Sequence, residues 1–158
     1  MIGAGIASAF AISLMAAPVA QGARVNFSGP ANAPGTSVEF RVGIKDGKPG
    51  RIGLFEVLKP YAYCSNGSEG TIGSSQLDDS HDFPSRGIEV KKKGKFHAID
   101  VDDEFDPENT FPPSGDIYEI AGRIRKTSAS GTFRMTFNFQ QAGFTCDTGV
   151  VSWTATAV

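Results

Sequence analysis

Glycine and proline constrain this chain more than any other feature, because they interrupt it at short intervals. The sequence contains 19 glycines and 9 prolines, and beyond the first 22 residues the longest stretch free of both spans residues 95–106. An α-helix averages about 11 to 12 residues and avoids both residue types in its interior. The chain therefore has little room for helices, and short strands joined by turns are predicted.

Four segments alternate apolar and polar residues with a period of two, which is the pattern of a strand that buries one face. The apolar sets are Val38, Phe40, Val42 and Ile44; Tyr118, Ile120, Gly122 and Ile124; Phe133, Met135, Phe137 and Phe139; and Val151, Trp153 and Ala155. We expect the third set to share one buried face with Val38, Phe40, Val42 and Trp153.

Other segments predict strands less regularly. Residues 52–58 are apolar on both sides, as in a strand covered on two faces. Residues 88–91 and 96–101 flank a run of lysines, in which Lys93 and Gly94 suit a tight turn. Closely spaced strands joined by turn residues build antiparallel structures. The predicted fold class is all-β, an antiparallel β-sandwich or a small β-barrel.

The first 22 residues predict a signal peptide, because they are apolar, lack charge and end in small residues. Cleavage after Gly22 fits the small-residue rule, and cleavage after Ala20 is the alternative. A membrane anchor is the other interpretation, although Pro18 and Gln21 suit it poorly. The remainder, residues 23–158, has the size of a single β domain. We therefore expect a secreted or cell-surface protein without an integral membrane span after cleavage.

Two cysteines, Cys64 and Cys146, are expected to form a disulfide, because an exported protein encounters an oxidising compartment. Cys64 follows a predicted strand at residues 61–63, and Cys146 is interpreted as opening the final hairpin. The closed loop would disfavour the unfolded state by roughly 4.5 kcal/mol on the chain-entropy model. The alternative, a reactive or metal-binding pair, would require a lowered thiol pKa or further ligands nearby.

Several short motifs follow one another along the chain. They are Phe27-Ser28-Gly29, Tyr63-Cys64-Ser65-Asn66-Gly67, Gly94-Lys95-Phe96, Gly131-Thr132-Phe133-Arg134 and the closing Cys146-x-x-Gly149-x-x-x-Trp153-x-Ala155. This order resembles a class of small exported bacterial β-rich proteins of uncharacterised function. The resemblance implies a secreted, disulfide-bridged β domain over nearly the whole mature chain. Its motifs are turn and core residues, so it implies no active site.

The charge balance argues against strong, nonspecific attraction to nucleic acid or to anionic membranes. The chain carries 15 basic and 17 acidic residues, for a net charge of -2. The one basic run, Lys91, Lys92, Lys93 and Lys95, is interpreted as a solvated hairpin tip. We therefore expect no nucleic-acid partner.

Catalytic residues are scarce, so no catalytic site is predicted. The two histidines are His81, in a polar segment, and His97, which is expected on a sheet face. The G-x-S-x-G nucleophile motif is absent, as are H-E-x-x-H, the P-loop and the dinucleotide fingerprint. The sequence predicts no cofactor, and an enzyme is less expected than a binding protein.

One acidic segment offers weak calcium ligands. Asp100, Asp102, Glu104 and Asp106 alternate along it and could supply hard oxygen atoms to Ca²⁺. The glycine and distal glutamate of an EF-hand loop are missing, and a solvated acidic turn is the simpler interpretation. The metal prediction is therefore none.

Three classes of function remain open. The favoured one is an extracellular binding or interaction module with an unknown ligand or protein partner, using loops at residues 65–86 and 106–115. An exposed aromatic patch from Phe83, Phe105 and Phe111 would favour it. A structural envelope protein and a hydrolase with a site assembled across strands are the alternatives.

Overall fold

The computed structural model describes residues 22–73, 75–78, 87–101 and 115–158. Twelve β-strands and two 3₁₀ turns, Lys92–Gly94 and Gln140–Ala142, form its regular structure, with no α-helix in these ranges. The strands are β1 Arg24–Pro30, β2 Ser37–Lys45, β3 Lys48–Leu58, β4 Tyr61–Cys64, β5 Glu69–Thr71, β6 Ser75–Asp78, β7 Ile88–Glu89, β8 Lys95–Val101, β9 Ile117–Ile124, β10 Ser128–Phe139, β11 Phe144–Asp147 and β12 Val151–Ala157.

The strands form one antiparallel sheet, which confirms the predicted fold class. Its main path runs β5-β4-β11-β10-β12-β1-β2-β3-β6, with β7 beside β3, β9 beside β10, and β8 beside β9. Among the described strands no pairing closes the sheet into a barrel. Instead the sheet curves, so that Phe96 of β8 contacts the rings of Phe40 and Phe55 on β2 and β3. The arm β8–β9–β10 therefore faces the arm β1–β2–β3 across a shared core.

Aromatic rings fill the centre of this core. Phe27, Phe40 and Phe55 lie directly opposite one another on β1, β2 and β3 and stack with centroids 5.0 and 5.2 Å apart. Trp153 meets Phe40 and Phe55 edge-on, each at 5.6 Å. Offset and edge-to-face pairs of this kind contribute about 0.5–1.5 kcal/mol each beyond their buried area. The rings thus join three strands of one arm to β12.

Two glycines make room for two of the large rings. Register places Phe96, Gly122, Gly131 and Trp153 in one row across β8, β9, β10 and β12. The rings of Phe96 and Trp153 stack at 6.2 Å. A Cβ on Gly122 would lie 2.6 Å from the Phe96 ring, and one on Gly131 would lie 2.6 Å from the Trp153 ring. The ring of Phe96 therefore packs over Gly122, and the ring of Trp153 packs over Gly131.

The predicted buried faces are mostly confirmed, with one error. Val38, Phe40, Val42 and Trp153 are buried, as are Phe133, Met135 and Phe137. Phe139 was predicted to join them, yet it is 39% exposed and stacks on Phe144 at 4.9 Å. The physical reason is that β10 ends there, beyond the facing arm, where its partner is the short strand β11.

A β-bulge explains why β3 is apolar on both sides. Arg41 pairs with Leu54 and Val42 with Ile52, so Gly53 has no partner of its own. Inserting one residue reverses the alternation, because side chains change face with every position. Ile52 and Phe55 therefore both point into the core, whereas Leu54 is half-buried on the other side.

The predicted disulfide is present. Cys64 and Cys146 are bonded and lie directly opposite each other on β4 and β11. The interpretation of Cys146 as the start of a final hairpin is wrong, because β11 and β12 do not pair with each other. Both instead pair with β10, β11 along residues 136–139 and β12 along residues 128–133.

On the edge opposite β9, β10 pairs first with β12 and then with β11. We call the point between these two pairings the fork, and buried Thr148 bonds to β10 there. Its backbone N–H donates to the Met135 carbonyl at 3.0 Å, and its hydroxyl accepts the Met135 N–H at 2.9 Å. The Thr148 hydroxyl thus accepts the hydrogen bond that the Met135 N–H would otherwise donate to a backbone carbonyl of a paired strand. From the fork, β11 turns to β4 and β12 turns to β1.

The lysine-rich turn has the tight geometry that the sequence predicts. Lys93 and Gly94 both adopt left-handed backbone conformations, with φ of 65° and 74°. The turn between β2 and β3 is similar, since Asp46 and Gly47 have φ of 51° and 70°. Asp46 and Gly47 are the central residues of a hairpin, and positive φ at both positions matches the twist of the flanking strands. The lysine-rich turn joins β7 to β8, which pair with β3 and β9 and not with each other, so the interpretation of this run as a hairpin tip is wrong.

Several sequence predictions fall outside the described ranges. Residues 1–21 of the predicted signal peptide are among them, as are residues 79–86 and 102–114, which include parts of the two predicted loops. The described part of the first predicted loop, residues 65–86, contains β5 and β6. Within the part of the chain that the structure covers, no helix has the length and hydropathy needed to cross a bilayer.

Candidate functional site

The predicted site residues are not gathered into one place. His97 lies exposed on β8, on a sheet face as expected, and its Nε2 is 3.2 Å from Glu119 Oε1. Asp100 is half-buried on β8, opposite Tyr118. The other calcium candidates, Asp102, Glu104 and Asp106, lie outside the described residues, as do His81, Phe83, Phe105 and Phe111. Within the described ranges no group of three metal-ligating side chains occurs.

On the outer face of the sheet, charged residues of β8, β9, β10 and β11 lie next to one another from strand to strand. His97 contacts Glu119, Glu119 lies opposite Arg134 in the register, and Arg134 binds Asp147. The Arg134–Asp147 pair is two-pronged, with Nη2 2.5 Å from Oδ2 and Nε 3.2 Å from Oδ1. Two parallel hydrogen bonds fix geometry better than a single one does. This contact ties β10 to the strand that carries the disulfide.

Arg134 also affects acid stability. Its hydrogen bonds to Asp147 hold the pKa of that carboxyl below its usual value of 3.8, against partial desolvation that raises it, with help from the Gly149 N–H at 2.7 Å. A depressed pKa in the folded state stabilises the fold above the unfolded pKa, and this contribution is lost as pH falls through the folded value.

We therefore expect wild-type protein to lose stability relative to Asp147→Asn as the pH drops below 3.8. Urea unfolding midpoints measured from near neutral pH to about pH 2 check this, because the difference between the two proteins should shrink towards the acid end. Asp46→Asn, at an exposed position in the turn between β2 and β3, is the comparison for general acid effects. A wild-type–Asp147→Asn difference that stays constant with pH would contradict the assignment.

A different feature dominates the surface: ten of the 15 basic residues lie at one end of the sheet, all exposed. We call this surface the basic end. Its members are Arg24, Lys45, Lys48, Lys91, Lys92, Lys93, Lys95, Arg123, Arg125 and Lys126. Two acidic residues stand close to these cations in the sequence, Asp46 between Lys45 and Lys48, and Glu89 two positions before Lys91. The same strands carry other carboxylates farther along, at Glu39, Glu56, Asp100 and Glu119. Neither ion pair found among the described residues uses a cation of this end.

Topology brings these residues together. β1 begins at Arg24 and β2 ends at Lys45, where β3 starts. In the other arm β8 begins at Lys95 and β9 ends beside Arg125. Because neighbouring strands are antiparallel, the start of one lies next to the end of the other. The turns of both arms therefore meet at the same end.

Cations face each other directly at two points of this end. Lys45 lies opposite Lys48, and Lys95 lies opposite Arg123. Like charges directly opposite one another in a sheet are destabilising, by tenths of a kcal/mol to about 1 kcal/mol per pair. The fold therefore carries an electrostatic cost at this end that an anion would relieve.

An apolar cleft of about 300 Å³ opens within the basic end. It lies between three connections, contributed by Gly47 before β3, Gly94 before β8 and Lys126 before β10. Arg125 and Lys126 line it directly. The size falls at the lower limit of ligand pockets, which are about 300–1,000 Å³.

The walls of this cleft are apolar side chains. Phe27 and Ile124 are buried and lie deepest, while Val25 and Ile44 are half-buried. A second cleft, of about 210 Å³, has a rim of mixed charge that includes Glu39 and Arg41. His97 lines neither cleft. The first cleft alone of the two combines an apolar interior with cations at its mouth.

Sequence reasoning recognised only part of this site. The run from Lys91 to Lys95 is evident in the sequence, but it was interpreted as a solvated hairpin tip and not as part of a binding surface. Part of the signal for the rest was present, because a basic residue directly follows two of the predicted strands, Lys45 after Ile44 and Arg125 after Ile124. Pairing order, which decides which ends meet, could not be read from those positions.

Comparison of the chain with protein-family models, with curated proteins and with solved structures finds no match in any of the three.

Proposed function

We propose that the protein is a secreted or cell-surface binding module that recognises an anionic ligand through its basic end. The observation that carries the proposal is the gathering of ten exposed cations at one end of a chain whose net charge is -2. Net charge sums both signs over the whole surface, whereas a ligand responds to the local field. The resemblance to small exported bacterial β proteins supports the secreted location in this proposal and implies no ligand.

Two structural observations support the proposal. The like-charge pairs Lys45–Lys48 and Lys95–Arg123 cost stability without serving the fold. Functional surfaces commonly retain such costs, because stability there is given up for binding. The disulfide is compatible with an oxidising compartment, where we place the protein.

The test is retention on immobilised heparin, a sulfated polysaccharide used as the anionic probe. We expect wild-type protein to bind at low salt, and Lys92→Glu/Lys126→Glu to bind about tenfold more weakly, since exposed ion pairs contribute about 0.2–1 kcal/mol each. The matched control is Arg41→Glu/Lys59→Glu, which makes the same change in net charge at exposed positions outside the basic end.

Equal losses in the two double variants would contradict the proposal, because binding would then follow total charge. Wild-type protein that passes through the column at low salt would contradict it as well. Duplex DNA serves as a second probe. The absence of a nucleic-acid partner remains a prediction, and DNA binding tighter than heparin binding would overturn it.

A further inference from the structure

We propose that the ligand is a free single-chain anionic amphiphile, with its apolar chain in the cleft and its acidic head among the cations. This inference rests on the proposed function and specifies the ligand of the same site. A simple inorganic anion would use the rim but leave the apolar interior facing water. A neutral apolar molecule would use the interior but leave the cations without a partner.

The interior of the cleft supports the apolar half of this ligand. Its deepest residues, Phe27 and Ile124, belong to the core, so a chain that enters would extend the core outward. Val25 and Ile44 remain half-exposed on its sides. Apolar surface left accessible in a concave site gains free energy when a ligand covers it.

The mouth of the cleft supports the anionic half. Arg125 and Lys126 line it, and Gly94 places the lysine-rich turn beside them on the same side of the cleft. A Cβ on Gly94 would come 2.0 Å from the Ile124 carbonyl oxygen, so the turn is packed tightly against the end of β9. On the other arm Lys45 and Lys48 flank Gly47, which also lines the cleft. Cations therefore stand on both sides of one opening, where a carboxylate or phosphate head would lie.

The glycine between β2 and β3 favours entry of an extended chain. Gly47 lines the cleft, and nothing lies within 4 Å of the position its Cβ would occupy. The turn therefore presents no side chain to the cleft at this position. A cleft of about 300 Å³ suits one acyl chain better than two.

Calorimetric titration with hexanoate, octanoate and decanoate, all below their micellar concentrations, tests the inference. We expect affinity to rise by up to about fourfold for each methylene, the value for complete removal of a CH₂ group from water. Decanol should bind more weakly than decanoate. Raising the salt concentration should weaken decanoate binding but not decanol binding, because salt screens exposed charges.

Two pairs of variants locate the binding. Ile44→Ser should weaken decanoate binding, whereas Ile99→Ser, at a 57% exposed position on β8 outside the cleft, should not. Lys126→Glu should weaken it more than Lys59→Glu does. Circular dichroism and a cooperative unfolding transition establish that each variant is folded, and the chain-length series in wild-type protein needs no variant at all.

The outcomes separate this inference from the proposed function. Salt-sensitive binding that does not depend on chain length overturns the amphiphile and leaves the anion-binding module. Chain-length dependence without salt dependence overturns both proposals, because the cations then play no part. Binding to vesicles of anionic phospholipid without binding to monomeric decanoate overturns the inference in favour of a membrane surface.

Discussion

Gly131→Ala is expected to lower the free energy of unfolding by about 3 kcal/mol, at the upper end of typical overpacking costs. The new Cβ would lie 2.0 Å from the Ala121 carbonyl oxygen and 2.6 Å from Trp153 Cζ2. Neither group can move easily, since the carbonyl belongs to the ladder between β9 and β10 and the indole is 2% exposed. Urea unfolding monitored by tryptophan fluorescence measures the change.

Gly53→Ala is the matched control, because Gly53 is exposed on β3 and has open space where a Cβ would lie. This substitution should be neutral or stabilise the protein by up to about 1 kcal/mol, through reduced freedom of the unfolded chain. A Gly131→Ala variant as stable as Gly53→Ala would show that the Phe96–Gly122–Gly131–Trp153 row is not packed as described.

Removing the disulfide should have the largest effect of any double substitution considered. Cys64→Ala/Cys146→Ala opens a link between positions 82 residues apart. The expected loss is about 4.5 kcal/mol on the chain-entropy model, within the usual range of roughly 2–5 kcal/mol for native bridges. Reduced wild-type protein should show a similar loss in the same urea experiment, and a loss below about 1 kcal/mol in both would contradict the prediction.

The loss should also be localised. β4 pairs with β11 and β5 and with no other described strand, and only two register pairs join β4 to β11. Hydrogen exchange should therefore show that β4 and β5 lose more amide protection in the double variant than β1, β2 and β3 do. Simultaneous loss over all twelve strands would mean that the bridge stabilises the sheet as one unit.

Local patterns in the sequence predicted the parts of the fold that depend on local sequence. Alternation alone identified the buried faces of β2, β10 and β12, because a strand must place one side against the core. The turn at Lys93 and Gly94 was predicted for a similar reason, since a glycine there permits positive φ.

The errors occurred where long-range pairing overrides the local pattern. Phe139 continues a regular alternation, yet the facing arm does not reach it. Gly53 shifts the phase of β3, which made a bulged strand resemble one covered on two faces. The fork at Thr148 looks like a hairpin in the sequence, because a short polar turn separates two strands there. In each case the partner strand decides the outcome.

The candidate site was missed for a related reason. The basic end consists of turns and strand ends from segments far apart in the chain, such as Arg24 and Lys126. Composition averaged their charge with acidic residues elsewhere and gave a net charge of -2. The cleft needs Val25 and Ile44 from one arm and Ile124 from the other. Their proximity follows from the pairing order, which the sequence pattern did not reveal.

The pairing of β1 with β12 has a consequence for the time course of folding. Phe27 lies opposite Ala157, and Trp153 forms a bridge with Ala31, so this seam joins segments from the two extremes of the described chain. It cannot form until β12 has been synthesised, and until then the first half of β10 has β9 on one edge but no partner on the other. Sheets that depend on such distant pairings fold slowly, in milliseconds to seconds. The complete sheet is therefore expected to assemble once β12 is available, and not strand by strand along the chain.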